Sequence, residues 1–404
     1  MYKNKQSESI YTLQFGLVCL SSFLFSASFN MLIPELPEYL SAMGGANYKG
    51  LIIALFTLTA GFSRPFSGKL TDTIGRVPVM AVGSIVCVIC GILYPVLTTV
   101  SGFLFLRLIH GFSTGFKPTA TSAYVADLVP ENRWGEAMGV HGVCFSTGLA
   151  IGPAIGSTIT EYYSIDTLFY CSSLFALLSV VILGHMKESL KAKQPFRLSL
   201  LKINRQEIIE WKVIPAALIT FLSYISYGAI LTIIGDWGNY LGTSNKGLFF
   251  MVFTLASLLI RFIAGKASDR YGRVGIIKIS LVLLALSLMM IGLANSSFWL
   301  MCASALYGIA TGMLSPSVNA WTIDLSDPSH RGKAIATMYI ALEAGIGLGA
   351  LIAGWLFIDD IAMIPVTFYI CAGITVAALA YLFIKPSKPP AGMQEKAISS
   401  FPGE

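Results

Sequence analysis

Charged residues are scarce in this sequence. Of its 404 residues only 12% are Asp, Glu, Lys or Arg, whereas 55% are hydrophobic. Soluble domains carry about 25% charged residues, so a chain that folds wholly in water is excluded. The formal net charge of +6 comes from basic loops and predicts no nucleic-acid partner. The composition therefore indicates an integral membrane protein.

Sequence patterns of catalysis are also lacking. No Gly-x4-Gly-Lys-Ser/Thr motif occurs, so direct ATP hydrolysis is not expected. The seven cysteines are scattered through apolar segments, which is typical of packing residues rather than of a disulfide or metal site. We find no nucleophile with a neighbouring base and no metal-ligand cluster. Neither an enzyme nor a bound cofactor is predicted, and no cleavable signal peptide is visible.

Long apolar segments dominate the sequence. Twelve of them are close to the roughly 20 residues that a hydrocarbon core of about 30 Å requires. Because only helices satisfy the backbone within each segment, the sequence predicts an all-α membrane protein with twelve transmembrane helices. The segments lie near residues 13–35, 49–67, 78–98, 103–126, 136–158, 165–186, 213–235, 247–265, 275–294, 298–322, 332–357 and 363–384.

The two halves of the chain are repeats of each other. RPFSGKLTDTIGRV at 64–77 returns as RFIAGKASDRYGRV at 261–274, an offset of 197 that other residues share. A repeat of this length indicates duplication of a whole half-protein. We therefore predict four regions: an N-terminal six-helix bundle at 1–186, a linker at 187–212, a C-terminal six-helix bundle at 213–386 and a disordered tail at 387–404.

Basic residues in the loops predict the orientation in the membrane. Almost all of them fall on the side of the termini and the linker, whereas Lys49 and Lys246 fall on the other side. Because basic loops are retained in the cytoplasm, we expect both termini and the linker to be cytoplasmic. The expected location is the cytoplasmic (inner) membrane, with the lipid bilayer as partner and the chain as a monomer.

The repeated segment carries a resemblance to a known family. GKLTDTIGR at 68–76 resembles the signature of the loop between the second and third helices of the major facilitator superfamily, and 265–273 is its copy. The resemblance implies two six-helix domains around a central cavity that work by alternating access. GLAIGPAIGS at 148–157 is similar to the fifth-helix motif of the 12-helix drug:proton antiporters. That similarity favours an exporter, although a helix-packing face alone also explains it.

Three charged positions of the signature recur in both halves. In the first half Asp72 and Arg76 are four residues apart, so they can face each other on a helical turn. Asp127 lies at the end of the fourth segment, on the same side of the membrane. In the family such a network holds the outward-facing state closed on the cytoplasmic side, whereas ordinary retained loop charges are the alternative. The predicted cytoplasmic gate comprises Asp72, Arg76, Asp127, Asp269, Arg273 and Asp324, and the predicted packing motif comprises Gly148, Gly152, Pro153 and Gly156.

The fourth segment carries a polar stripe. Arg107, His110, Thr114 and Lys117 follow one another at steps of three, four and three, which places them on one helix face. A cation in hydrocarbon costs at least about 2.5–3.5 kcal/mol, so we expect the stripe to line a water-filled cavity. The segment around Arg107 resembles the family's fourth-helix motif, which implies proton coupling, although His110 stands where glutamine is common.

Few acidic residues are available to pair with these cations. Glu35 and Asp236 occupy related positions at the ends of the first and seventh segments, while Glu343 lies midway along the eleventh. An ionisable residue within a transmembrane segment marks a functional site, so Glu343 is the favoured proton-coupling residue. Asn30 stands where some drug antiporters carry an acid, and we expect it to hydrogen-bond the substrate.

The sequence favours a proton-driven secondary transporter that exports a small amphipathic compound or drug. Its partners are the substrate and protons, with the proton gradient as driving force. Transport of an anionic metabolite, such as a carboxylate siderophore, is the alternative that Arg107 and Lys117 favour. A receptor or scaffold that has lost transport is an alternative of another class, against which the repeated gate motifs argue.

Overall fold

The computed structural model describes residues 11–130, 133–202, 209–326, 331–358 and 360–384. The tail predicted at 387–404 lies outside the described residues, and so does the side chain of Asp269.

Long helices make up nearly all of the described chain, together with one short helix, α2. Their bounds follow the predicted segments closely, so the twelve-helix prediction is confirmed. They are α1 (Leu13–Asn30), α2 (Leu36–Ala42), α3 (Lys49–Thr73), α4 (Arg76–Leu93), α5 (Val100–Leu128), α6 (Trp134–Tyr162), α7 (Ile165–Gly184), α8 (Ile214–Tyr240), α9 (Leu248–Tyr271), α10 (Arg273–Leu293), α11 (Ser297–Leu325), α12 (Arg331–Phe357) and α13 (Met363–Ile384).

Ten of the described helices are long and apolar enough to cross a membrane by composition alone. Helix α5 falls outside that group although it has 29 residues, because its polar stripe lowers its hydropathy. Helix α9 contributes a shorter apolar stretch, Leu248–Arg261. Side chains start several of the helices: Thr12, Thr99 and Ser164 each accept a hydrogen bond from a backbone N–H of the first turn of α1, α5 and α7.

Helix pairing repeats between the two halves. In the first half α3 and α4 pack on α5, and α1 packs on α6 and α7; in the second half α9 and α10 pack on α11, and α8 packs on α12. The halves meet along two helix pairs, α3 with α12 and α6 with α9. The repeat relates these two pairs to each other, so the interface has approximate two-fold symmetry.

The glycines of the predicted packing motif set the separation of α6 from α1. A Cβ on Gly148 would lie 2.6 Å from the carbonyl oxygen of Phe23, and one on Gly152 would lie 2.9 Å from that of Ala27. Gly156 approaches the backbone of Met31 in the same way. Pro153 of the motif instead contacts Gly247 of the other half. Larger side chains at the three glycines would push the two helices apart.

The linker packs on one end of the first bundle. The Glu188 carboxylate accepts hydrogen bonds from the backbone N–H groups of Arg76 and Val77, both at 3.0 Å, at the start of α4. Gly75 precedes them with a φ of 128°, which only glycine adopts readily. The Lys69 ammonium donates to the carbonyl of Lys202 at 2.6 Å. We name this end of the molecule the linker face and the other end, which carries Lys49 and Lys246, the opposite face.

Candidate functional site

A central cavity of about 1050 Å³ lies between the two halves. Its walls come from both bundles and reach the linker face, where Lys69, Asp72 and Lys333 contribute. Asp72 is 72% exposed at this end. Deeper in the cavity the polar lining includes Arg64, His141 and Arg261. The molecule is therefore open toward the linker face.

Ion pairs between the halves close the opposite face. The Lys246 ammonium lies 3.0 Å from Glu35 Oε2 and also contacts Glu38. The Lys49 ammonium lies 3.4 Å from Asp236 Oδ1. Each pair joins an acid of one half to a lysine of the other. We name Glu35, Glu38, Lys49, Asp236 and Lys246 the opposite-face lock.

Glu35 forms the buried centre of the lock, and hydrogen bonds reinforce it. Glu35 is only 5% exposed and accepts a further hydrogen bond from the Ser157 hydroxyl at 2.6 Å. That hydroxyl also accepts from the backbone N–H of Gly247 at 3.1 Å. Beside it, the Asn245 amide donates to the Ala154 carbonyl at 3.1 Å. The loop before α9 is thus bonded to the first half.

Lys246 remains charged in this setting. Burial lowers its pKa, but the carboxylates of Glu35 and Glu38 raise it by more, so that its pKa lies above the ordinary value. A raised lysine pKa contributes stability below the ordinary pKa of about 10.4 and loses it only as the pH rises through the shifted value. The cation of the lock is consequently present throughout the physiological range.

A second inter-half ion pair lies beside the cavity, where Arg64 belongs to the cavity lining and Glu343 lines a separate groove between α3 and α12. The Arg64 guanidinium on α3 donates to Glu343 Oε1 on α12 at 2.6 Å, and both side chains are largely buried. The Tyr339 ring covers the guanidinium, with its centroid 4.8 Å from Arg64 Cζ. Sequence reasoning identified Glu343 but missed Arg64. The available signal was its place well inside the second apolar segment, where a cation also requires a partner.

The α5 stripe does not line the cavity as predicted. Arg107 is 2% exposed and donates from Nε to the Ile52 carbonyl at 3.0 Å. His110 is fully buried, with its ring nitrogens 3.0 Å from the Tyr94 hydroxyl and 3.2 Å from Cys87 Sγ. These two side chains lie inside the first bundle, so the prediction of a cavity position is wrong for both.

Lys117 lies inside the first bundle as well. It is 1% exposed, and its ammonium donates to Ser21 Oγ at 2.8 Å, to Ser84 Oγ at 2.9 Å and to Ser179 Oγ. The Phe25 ring lies 4.8 Å from the same nitrogen. The prediction of a cavity position is wrong here too, because hydroxyls of α1, α4 and α7 replace water around the cation. Among the four stripe residues Thr114 lines the cavity.

Two further differences concern polar groups near the cavity. Asn30 is 2% exposed and its amide donates to the Ser26 carbonyl one turn earlier at 2.8 Å, so the structure does not present it to a substrate as expected. His141 of α6 was not singled out from the sequence. It lines the cavity, with Nε2 2.9 Å from Ser22 Oγ.

The charge networks predicted at the linker face are formed within each half. Arg76 NH1 lies 2.9 Å from Asp72 Oδ1, and Arg76 Nε lies 3.1 Å from Asp127 Oδ2. In the second half Arg273 Nε lies 3.1 Å from Asp324 Oδ2. Because these pairs do not cross between halves, the cavity stays open at this face while they are intact. Their role as a gate remains a prediction.

The serine shell around Lys117 leads to a stability prediction. A hydrogen bond to a charged group contributes about 1.5–3 kcal/mol, so Ser179→Ala should lower the free energy of unfolding by about that amount. In a Lys117→Met background the same serine change should cost far less, because the ammonium is gone. Thermal unfolding of the four variants in detergent gives this coupling energy. Equal losses in both backgrounds would show that Ser179 does not serve Lys117.

Comparison with known proteins agrees with this architecture. The family model described as Major Facilitator Superfamily matches residues 18–214 and 216–401. The chain belongs to the Major Facilitator Superfamily and is a membrane transporter of that fold. It is 27% identical over 352 residues to the multi-drug resistance efflux pump PmrA homolog of Lactococcus lactis, covering 82% of this chain and 85% of that protein.

Further similarities extend over almost the whole chain. The quinolone resistance protein NorA of Staphylococcus aureus is 24% identical over 400 residues, covering 95% of this chain and 97% of NorA. Among solved structures, a D-xylose-proton symporter has a TM-score of 0.76 at 16% identity, covering 93% and 97% of the two chains. The human organic anion transporter MFSD10 has a TM-score of 0.71 at 19% identity, covering 91% and 98%. These two structures show the shared fold.

Proposed function

We propose that this transporter exports a small amphipathic compound from the cytoplasm in exchange for protons. The observation that carries the proposal is the Arg64–Glu343 ion pair, 2.6 Å long, which joins the two halves beside the cavity that Arg64 lines. Glu343 lies well within α12, and the other described carboxylates lie near helix ends or in loops. The named efflux pumps among the relatives support export as the direction.

The pair supplies a proton step because its two members belong to different halves. With Glu343 ionised, Arg64 holds α3 against α12 and the molecule is open to the linker face. If the halves rearrange and the pair separates, Glu343 loses its cation in a site of low dielectric, where an isolated carboxylate is costly. Taking up a proton from the opposite side removes that cost. Return to the present state releases the proton on the linker side.

The basic loops assign the linker face to the cytoplasm and the opposite face to the exterior. With that assignment the opposite-face lock is the external gate, closed here while substrate enters from the cytoplasm. The Arg76 and Arg273 pairs are already formed in this state and do not cross between the halves, so in this proposal they fix the helix ends within each half.

Proton-coupled export is tested with inverted membrane vesicles that contain the protein and are acidified inside. Ethidium and norfloxacin serve as probes, one a lipophilic cation and the other a quinolone. Adding a transported probe should accumulate it in the lumen and alkalinise the lumen, because each inward movement of substrate is exchanged for protons. Accumulation that is unchanged after nigericin collapses the pH gradient would contradict proton coupling.

A further inference from the structure

The repeat makes the two cavity arginines equivalent in position, yet only one is neutralised. The offset of 197 that relates the halves places Arg261 of α9 where Arg64 lies in α3. The same offset places Ser146 where Glu343 lies in the other half. Arg64 therefore has a carboxylate at 2.6 Å, whereas Arg261 has a serine at the related position.

Arg261 is left with an unused guanidinium in the cavity. Its side chain is exposed to the cavity that it lines, and within the described residues it forms no hydrogen bond or ion pair. The two lysines that line the cavity each have a polar partner. Lys69 donates a hydrogen bond to the Lys202 carbonyl at 2.6 Å, and Lys333 lies 3.7 Å from Glu210 Oε2. A guanidinium without a partner in a cavity favours a planar anion, which accepts two parallel hydrogen bonds.

A small side pocket in the second half opens beside this guanidinium. It has a volume of about 150 Å³, and Arg261, Leu149 and Ser315 line both the pocket and the central cavity. A cavity of about 150 Å³ in another protein holds benzene, so one aromatic ring fits here. The pocket therefore continues the central cavity into the second bundle with space for the ring of a ligand.

The walls of the side pocket are aromatic. The Tyr227 ring centroid lies 6.2 Å from that of Tyr224 and 5.9 Å from that of Phe253, and the Phe253 centroid lies 5.6 Å from that of Tyr307. Rings at these spacings prefer tilted or edge-to-face partners. Four residues that bear hydroxyl groups also line the pocket: Ser223, Ser257, Thr311 and Ser315.

We propose that Arg261 and this pocket form a substrate subsite for an aromatic group that bears a carboxylate or another planar acid. The ring enters the pocket and packs on the walls that Tyr227 and Phe253 form, and the acid bonds to the Arg261 guanidinium at its mouth. The inference rests on the proposed export function, since it names the class of compound that the exporter takes.

The test compares two probes that share their rings and differ in charge. Norfloxacin carries an aromatic carboxylate, and its ethyl ester lacks that charge. Binding to the purified protein in detergent is followed by the fluorescence of the probe, at constant pH and without a gradient. The wild type should bind the acid at least about tenfold more tightly than the ester, because one charge-assisted contact contributes a factor of about ten or more.

Substitutions separate the two parts of the subsite. Arg261→Gln should weaken acid binding about tenfold to a hundredfold and leave the ester unchanged, whereas Arg261→Lys should retain part of the preference. Ser146→Glu should also remove the preference, because it supplies Arg261 with the acid that Arg64 has. Tyr227→Leu should weaken both probes alike. Arg270→Gln, on the same helix but outside both cavities, is the matched control.

The inference is overturned if the wild type binds acid and ester equally, if neither probe binds, or if Arg261→Gln weakens both to the same extent. It is supported if only the acid responds to Arg261 and Ser146. Because binding is measured without a gradient, an error in the proton-coupling proposal leaves this result unaffected. Conversely, vesicles that export ethidium by proton exchange while the acid preference is absent would retain the function and remove the subsite.

Discussion

Glu343→Gln should reduce pH-gradient-driven accumulation of norfloxacin and ethidium in inverted vesicles to the background of empty vesicles. The glutamine amide still accepts a hydrogen bond from Arg64, which lies 2.6 Å from the carboxylate in the wild type, so the fold and the cavity should persist. What is lost is a group that changes its charge during the cycle. Substrate exchange without a gradient should therefore continue in this variant, because it requires no net proton movement.

The matched control is Glu136→Gln, which removes a carboxylate from an exposed pair with Arg133 at the start of α6. Exposed pairs contribute little, so this control should accumulate the probes like the wild type. A Glu343→Gln protein that still concentrates either probe against its gradient would exclude Glu343 as the coupling residue. In that event His141 becomes the next residue to test, because it lines the central cavity.

Lys246→Gln should open the opposite face. Glu35 and Lys246 are 6% and 11% exposed in their side chains, and removing one partner of a buried ion pair costs about 3–5 kcal/mol. In the outward-open state water solvates Glu35, so this cost falls mainly on the closed state. Moving a two-state equilibrium from 1:99 to 99:1 needs about 5.5 kcal/mol, and most of the population should shift.

Hydrogen–deuterium exchange measures this shift without a label. The loop 241–247 should exchange faster in Lys246→Gln, because the Gly247 amide loses its hydrogen bond to Ser157 Oγ whenever the halves separate. Lys246→Arg keeps the charge and should exchange nearly as slowly as the wild type. Slow exchange of this loop in all three proteins would show that other contacts close the opposite face.

Helix boundaries and the repeat of the two halves were predictable because both are patterns that the sequence shows directly. Apolar segments close to the thickness of a bilayer specify the helices, and the offset of 197 makes the second half a copy of the first. The glycine spacing in α6 likewise specifies a close approach, which the contacts of Gly148 with α1 show. None of these features requires the position of one bundle against the other.

The surroundings of the polar stripe were not predictable in the same way. A spacing of three and four defines a helix face but not the helix against which that face packs. The face of α5 that carries Arg107 and Lys117 packs within its own bundle, where Ser21 and Ser179 solvate the ammonium. Serines are common in membrane helices and carry no periodic signal that marks them as ligands of a cation.

The ion pairs between the halves were predictable only in part. Lys49 and Lys246 were visible as the two basic residues on the exterior side, and Glu35 and Asp236 as related acids. Pairing each acid with the lysine of the other half required the position of one bundle against the other. The same applies to Arg64, whose partner Glu343 is 279 residues away.

The protonation of Glu343 when the halves rearrange tests the central claim most directly, because this carboxylate is ionised beside Arg64 in the present state and should be protonated once the pair separates. Infrared difference spectroscopy of the purified protein at neutral pH detects the C=O stretch of a protonated carboxylic acid. Lys246→Gln, which should shift the protein to the other state, should show more of this band than the wild type, and adding Glu343→Gln should reduce the gain. If adding Glu343→Gln leaves the band of Lys246→Gln unchanged, Glu343 does not carry the exchanged proton and the proposed coupling is wrong.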